Sequence, residues 1–196
     1  MFGGEPSMQT ELFQDTWIYH LDDNYWEKMT PKDSIMPPQI WFHTMSYIGN
    51  NTAVVFGQSF EKNSLWVYKL DSNKWEHRYA KDSISPSIRN FHAMSYIGDD
   101  KVLLFGGMDQ ASGNMSDETW VYDLSENRWE LKTVDIGFKP QACLYPTMDY
   151  IGNNKVIMHD GYNSGTTWIY NLIDNIWTLQ EPKGGIYPEI TADKSI

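Results

Sequence analysis

The sequence is poor in cysteine, in positive charge and in long hydrophobic runs. Its one cysteine, Cys143, excludes an internal disulfide framework and a cysteine-rich zinc site. Fifteen Lys and Arg stand against 26 Asp and Glu, and a net charge of −11 opposes binding to a phosphate backbone, so we expect no nucleic-acid partner. No apolar run approaches the roughly 18–20 residues of a membrane helix, so we expect no membrane span. Residues 1–6 show no signal-peptide pattern and one thiol suits either side of a membrane, so the compartment stays open.

Aromatic residues, in contrast, are abundant and regularly spaced. They make up 15% of the 196 residues, which argues against disorder in a chain long enough to bury a core. Four W-x-Y motifs are each followed by a second tryptophan nine residues after the first, and the units are 49, 54 and 48 residues apart. The motifs are Trp17–Tyr19, Trp66–Tyr68, Trp120–Tyr122 and Trp168–Tyr170, and the second tryptophans are Trp26, Trp75, Trp129 and Trp177. Only Trp41 lies outside this pattern.

Each unit predicts four short strands. A Tyr-Ile-Gly segment recurs at 47–49, 96–98 and 150–152, and an apolar run that ends in glycine follows it. The Gly-Asn-Asn and Gly-Asp-Asp sequences between them suit tight hairpin turns. The W-x-Y-x-L segments alternate with period two, which is typical of strands. Such sheets must stack to bury their aromatic faces, so repeats near 50 residues predict an all-β chain of propeller blades.

At these residues the sequence resembles the kelch-repeat family, over about residues 1 to 180. The resemblance rests on the pairs Gly3-Gly4 and Gly106-Gly107, on the W-x-Y tyrosines, on the second tryptophans and on Arg89-x-x-His92. It implies kelch-type β-propeller blades of four antiparallel strands, with these glycines, tyrosines and tryptophans as structural signature. The sequence departs from the family pattern where Gln58 follows Gly57, where Asp160-Gly161 replaces the glycine pair, and where Ile40 and Cys143 stand at the position of Arg89.

The repeats predict about three and a half blades and therefore an incomplete ring. Complete blades are expected at 41–80, 91–132 and 143–180. Residues 1–30 supply the end of a second strand and strands three and four, and 181–196 form a tail or inter-blade connection. Because propellers close with about four to eight blades, we expect either the remainder of a longer chain or a second copy to complete the ring, or a stable open arc.

The unequal lengths of the connections predict where a ligand binds. The 1–2 and 3–4 turns are constant, whereas the 2–3 connections (58–64, 107–118, 161–167) and the 4–1 connections (31–40, 80–90, 133–142) vary and emerge on one face. Variable loops on a rigid scaffold favour recognition. Candidate ligand contacts on this face are Arg89, Trp41, Asn90, Asp109 and Tyr162; Arg89 suits an anionic group at the channel mouth or, alternatively, a structural salt bridge.

Other candidate sites have simpler interpretations. The spacing of the eight regular tryptophans favours packing between blades over sugar stacking. His43 and His92 have no third ligand at suitable spacing, so we expect no metal and no cofactor. Asp109, Asp117 and Glu118 lack a calcium-loop pattern and suit a solvated loop.

The pattern favours a non-catalytic interaction module that presents its loops to a protein, a peptide or a carbohydrate. An enzyme is the alternative, because some similar propellers are copper oxidases of the galactose-oxidase type and others are sugar-acid epimerases; Cys143 and Tyr145 supply two of the residue types that a copper site needs. A structural surface array of repeats is a third hypothesis. The fold alone does not separate these classes.

Overall fold

The computed structural model describes residues 1–4, 12–58, 65–132, 139–161 and 164–185. Seventeen strands and no helix occur within these residues, so no helix there is long and apolar enough to span a membrane. The strands are β1 Phe2–Gly4, β2 Phe13–His20, β3 Tyr25–Met29, β4 Trp41–Tyr47, β5 Thr52–Gln58, β6 Leu65–Lys69, β7 Lys74–Arg78, β8 Arg89–Asn90, β9 Ala93–Gly98, β10 Lys101–Phe105, β11 Met108–Asp109, β12 Thr119–Asp123, β13 Arg128–Lys132, β14 Thr147–Gly152, β15 Lys155–His159, β16 Thr167–Asn171 and β17 Ile176–Gln180.

The strands form four antiparallel blades. Blade 1 has three strands, in the order β1-β2-β3. Blades 2, 3 and 4 have four strands each, in the orders β4-β5-β6-β7, β9-β10-β12-β13 and β14-β15-β16-β17. The predicted all-β class and the four-stranded antiparallel blades are confirmed, and among the described residues the blades form an incomplete ring.

The W-x-Y tyrosine holds the turn of each outer hairpin. Its hydroxyl donates to the side-chain oxygen of an asparagine five residues later: Tyr68 to Asn73 at 2.8 Å and Tyr122 to Asn127 at 2.7 Å. The same bond joins Tyr19 to Asn24 and Tyr170 to Asn175. All four asparagines have φ between 51° and 59°, a conformation that asparagine tolerates better than most residues. Identical turns explain the constant interval between the two tryptophans.

The second tryptophan of blades 2, 3 and 4 packs on the preceding blade. Trp75, Trp129 and Trp177 are at most 3% exposed. Their rings lie edge-on to phenylalanines of the preceding blade, with centroids 4.9 Å from Phe2, 5.3 Å from Phe56 and 5.2 Å from Phe105, respectively. Aromatic contacts of this geometry add to the burial of apolar area. Three core clusters therefore lie between successive blades, and none of the three lies within a single blade.

The first strands of blades 2, 3 and 4 lie side by side at the centre of the arc. β9 contacts both β4 and β14. A channel of about 320 Å³ runs along them and is lined by residues 46–47, 94–96 and 148–150. The end of this channel at which these strands begin is the end from which the variable connections emerge.

Candidate functional site

The variable connections meet above the blades, as the pairing of β8 with β11 demonstrates. β8 belongs to the connection that leads into blade 3, and β11 belongs to the 2–3 connection of the same blade. Met108 pairs with Asn90, and Asp109 pairs with Arg89. Residues 59–64, 133–138 and 162–163 of these connections lie outside the described residues. We call the end of the channel nearest the connections the mouth.

Arg89 cross-links the two connections of blade 3 from a buried position. Its side chain is 1% exposed. The guanidinium donates to five acceptors: Ser87 O at 3.3 Å, Ser87 Oγ at 3.1 Å, Gly106 O at 3.1 Å, Ser116 Oγ at 3.0 Å and Glu118 Oε2 at 2.6 Å. Five donors are all that a guanidinium has, so this arrangement leaves none to bind a ligand.

Glu118 is the exposed half of this ion pair. Its side chain is 40% exposed and also accepts a hydrogen bond from Trp120 Nε1 at 2.9 Å. Burial raises the pKa of the Glu118 carboxyl, but the hydrogen bonds from Trp120 and Arg89 outweigh burial and lower the pKa below its usual value. Solvent at the mouth therefore meets the carboxylate of this pair and not the guanidinium.

Asp109 begins an ordered, projecting loop. Hydrogen bonds from the Ser87 side chain and from the backbone and hydroxyl of Ser112 lower the pKa of Asp109 to about 2, so it is ionised at neutral pH. The backbone amide of Asp109 bonds Asn114 O at 2.9 Å, and Met108 bridges Met115. Residues 110–115 at the tip are exposed. This loop adds negative charge beside the mouth.

The glycine pair is required where the connections cross. A Cβ on Gly107 would lie 2.6 Å from Asn90 O and 2.9 Å from His92 Cβ, and the residue has φ +88°. In blade 4, Asp160 replaces the first glycine and accepts hydrogen bonds from Ser164, from the Thr166 amide at 3.1 Å and from the Thr166 hydroxyl at 2.8 Å. Asp160 therefore stabilises the short loop that follows it.

Three aromatic residues form a row at the mouth. Phe42, Phe91 and Tyr145 occupy equivalent positions at the start of the innermost strand of blades 2, 3 and 4. Ring centroids are 4.4 Å apart between Phe42 and Phe91 and again 4.4 Å apart between Phe91 and Tyr145. Phe42 is 44% and Tyr145 53% exposed, while Phe91 is half-buried. We call these three residues the aromatic row.

The backbone of the aromatic row is strained. The three residues have φ values of 51°, 58° and 56°, a left-handed conformation that bulky side chains rarely adopt. Each such residue costs about 1 kcal/mol or more and persists where the surrounding structure imposes it. The Tyr145 amide bonds Phe91 O at 2.9 Å, which holds adjacent members in register. Strain of this kind, in a row of three aromatic residues of which Phe42 and Tyr145 are exposed, is a sign of a functional surface.

Sequence reasoning missed the aromatic row, although a signal for it exists. Each member stands five residues before the tyrosine of Tyr-Ile-Gly, at Tyr47, Tyr96 and Tyr150. Of the ligand contacts that the sequence predicts, Arg89 and Asn90 are buried, Asp109 lies in the projecting loop, and Trp41 begins β4. Tyr162 lies outside the described residues.

His92 and Cys143, behind the mouth, are buried. His92 Nε2 lies 2.8 Å from Thr44 Oγ1. Burial, with further effects of the nearby charges of Arg89 and His43, lowers the pKa of His92 to about 3, so the ring is neutral. Burial and then the charge of Asp160 raise the pKa of Cys143 to about 12, so its thiol stays protonated. Across the described residues no group of three or more His, Cys, Asp or Glu side chains is placed to hold a metal ion.

Comparison with known proteins agrees with this architecture. A search of curated proteins finds no match for the chain. A family profile described as the KLHDC2/KLHL20/DRC7 Kelch-repeats domain matches residues 1–195. Kelch repeats form propellers that act as protein-interaction modules. The four blades, the inter-blade tryptophans and the glycine pair of this chain match that repeat. The chain therefore belongs to the kelch-repeat family.

Proposed function

We propose that the chain is a non-catalytic recognition module that binds a basic peptide segment of a partner protein across the mouth. The single observation that supports this most strongly is the aromatic row. Its rings span three blades at the end of the channel where the variable loops emerge, and two of them, Phe42 and Tyr145, are exposed. Side chains of this kind provide large contact area at low conformational cost.

The charge of the blade 3 connections favours a cationic ligand. The positive charge of Arg89 is enclosed by protein, whereas Glu118 is partly exposed and Asp109 is ionised beside it. The chain as a whole has a net charge of −11. Lysine and arginine bind aromatic faces through cation–π contacts, and a negative surface concentrates them. An acidic ligand would meet repulsion at the same place.

The proposal is tested with three pools of short labelled peptides, basic, acidic and uncharged, and with a pool of neutral oligosaccharides. Fluorescence polarisation should detect binding of the basic pool, weakening as salt is added. Phe42→Ala and Tyr145→Ala should each raise its Kd about tenfold, the equivalent of one cation–π contact that is partly desolvated.

Tyr79→Ala is the matched control, since Tyr79 is an aromatic residue of 66% exposure that lies outside the row. Its Kd should equal that of the unaltered chain. Binding of the oligosaccharide pool alone, or binding of the basic pool that Phe42→Ala and Tyr145→Ala leave intact, would contradict the proposal.

A further inference from the structure

The two ends of the arc differ from its interior in the exposure of equivalent residues. In blade 1, Trp26 is 52% and Tyr19 38% exposed. Their counterparts in the other three blades, Trp75 with Tyr68, Trp129 with Tyr122 and Trp177 with Tyr170, are all at most 3% exposed. The difference arises because no blade covers this face of blade 1 among the described residues.

Each buried tryptophan of the interior enters a receptor on the preceding blade. The receptor is a cross-strand pair that joins the end of the second strand to the start of the third: Phe2 with Thr16 in blade 1 and Phe105 with Thr119 in blade 3. The indole of Trp75 packs on Phe2 and donates to Thr16 Oγ1 at 3.0 Å. Trp177 packs on Phe105 and donates to Thr119 Oγ1, also at 3.0 Å.

Blade 4 has the same receptor without a tryptophan in it. His159 and Thr167 form the cross-strand pair that corresponds to Phe105 and Thr119. Ile157 and Ile169 of blade 4 correspond to Leu103 and Val121 of blade 3, which are at most 7% exposed. In blade 4 the two isoleucines, His159 and Thr167 are only half-buried. An open depression of about 380 Å³ lies over Ile157, His159 and Thr167.

The exposed tryptophan and the vacant receptor are complementary parts of an interface that occurs twice within the chain with this hydrogen bond, and a third time with Leu65 in place of the threonine. Blade 1 offers an indole N–H, and blade 4 offers a ring and a threonine hydroxyl in the register that receives it. In the three strands of blade 1 the one lysine, Lys28, is paired with Asp15 at 3.1 Å and lies over the Trp17 ring. Covering the face therefore buries no unpaired lysine.

We infer that two copies of the chain associate head to tail, with blade 1 of each packed on blade 4 of the other. Trp26 then occupies the receptor formed by His159 of the partner subunit and Thr167 of the partner subunit. In a head-to-tail assembly, both ends of every copy are covered only when the assembly closes into a ring. Two copies bring eight blades together, which is within the four to eight of closed propellers. The interface uses the ends of the arc and is independent of the aromatic row.

The test is the solution mass of the purified chain, measured by size-exclusion chromatography with light scattering from low to high micromolar concentration. The expected result is one species of twice 22.8 kDa. Trp26→Ala and Thr167→Arg should each yield the single-copy mass. For Trp26→Ala we expect the Kd of association to rise at least about 30-fold, as for a central interface tryptophan.

Ile173→Asp is the matched control. Ile173 is 74% exposed in the outer turn of blade 4, and aspartate already stands at the equivalent position of blade 2, as Asp71. This variant should keep the doubled mass. Thermal unfolding of each variant checks that it is folded; Trp26 and Thr167 are not buried, so folding should survive both changes.

Three results would overturn the inference. The first is a single-copy mass for the unaltered chain at every concentration. The second is a doubled mass that survives both Trp26→Ala and Thr167→Arg. The third is a mass that rises without limit, because an unclosed head-to-tail contact yields filaments and not a pair.

Discussion

Trp177 donates its indole N–H to Thr119 Oγ1 of the preceding blade across 3.0 Å, and both residues are at most 2% exposed. The bond orients the largest side chain of one blade against the next. At the interface of blades 2 and 3 the threonine position is occupied by Leu65, and Trp129 is still buried. Apolar packing is therefore common to all three interfaces, while the hydrogen bond is made at two of them.

Replacing Thr119 by valine should destabilise the fold. The substitution preserves shape but leaves the Trp177 N–H buried without its acceptor, which costs about 1–3 kcal/mol. Urea unfolding measures the change in the free energy of unfolding. Thr178→Val, at an exposed position of β17, is the control and should cost less than about 0.5 kcal/mol. Equal effects at the two sites would mean that the hydrogen bond does not stabilise the interface.

Arg89→Met should lower the free energy of unfolding by about 2–3 kcal/mol. The substitution removes one partner of an ion pair whose arginine is buried. The expected cost is smaller than for a fully buried pair because the Glu118 carboxylate is partly solvated. Arg128→Met breaks an exposed pair with Asp82 of similar length, 2.8 Å, and should lower the free energy of unfolding much less than Arg89→Met does. Chemical denaturation of both variants makes the comparison. Unchanged stability of Arg89→Met together with lost peptide binding would instead support the ligand contact that the sequence predicts for Arg89.

Stability should fall as the pH drops from about 6.5 towards 3. Burial lowers the pKa of His92 to about 3 in the folded chain, against an unfolded value of 6.5. Between these values the unfolded state binds a proton that the folded state does not, so acid favours unfolding, by up to about 1.4 kcal/mol per pH unit.

Urea midpoints across this pH range test the effect. His92→Gln, which retains a side chain able to bond Thr44, should flatten the slope, although His43 has a pKa lowered by burial and will leave part of it. An unchanged slope in His92→Gln would assign the acid sensitivity to other groups.

Gly107→Ala and Gly98→Ala form a matched pair that separates steric clash from backbone strain. Both glycines have φ near +90°, but a Cβ on Gly107 would lie 2.6 Å from Asn90 O, whereas a Cβ on Gly98 meets nothing within 4 Å. Gly98→Ala should cost about 1–2 kcal/mol from strain alone. Gly107→Ala should cost more, because the crossing connections must move apart. Similar unfolding free energies for the two variants would contradict the close approach.

Much of the fold could be predicted from short stretches of sequence. The local signals are the Tyr-to-Asn spacing within the outer hairpin, the Asn and Asp beside glycine in the inner turns, and the period-two alternation of the strands. Each depends on a few neighbouring residues. Repetition shows the inner turns three times and the outer hairpins four times. The aromatic row is as regularly spaced in the sequence as the tryptophan pairs. Its strained backbone, with φ near +55°, is not indicated by any local pattern for phenylalanine.

The sequence by itself determined the strands, the hairpin turns and the stacking of blades, because these follow from turn chemistry and from the need to bury two aromatic faces of each sheet. Only the tertiary structure decided which charged and aromatic groups face solvent. The sequence predicts Arg89 as a ligand contact or a structural salt bridge, and the structure shows acceptors from residues 106, 116 and 118 around its guanidinium. Trp26 and Trp75 occupy equivalent positions in the sequence, but the structure packs a blade against Trp75 and, among the residues that it describes, none against Trp26. Exposure depends on residues distant along the chain, and such contacts are not encoded in the spacing of neighbours.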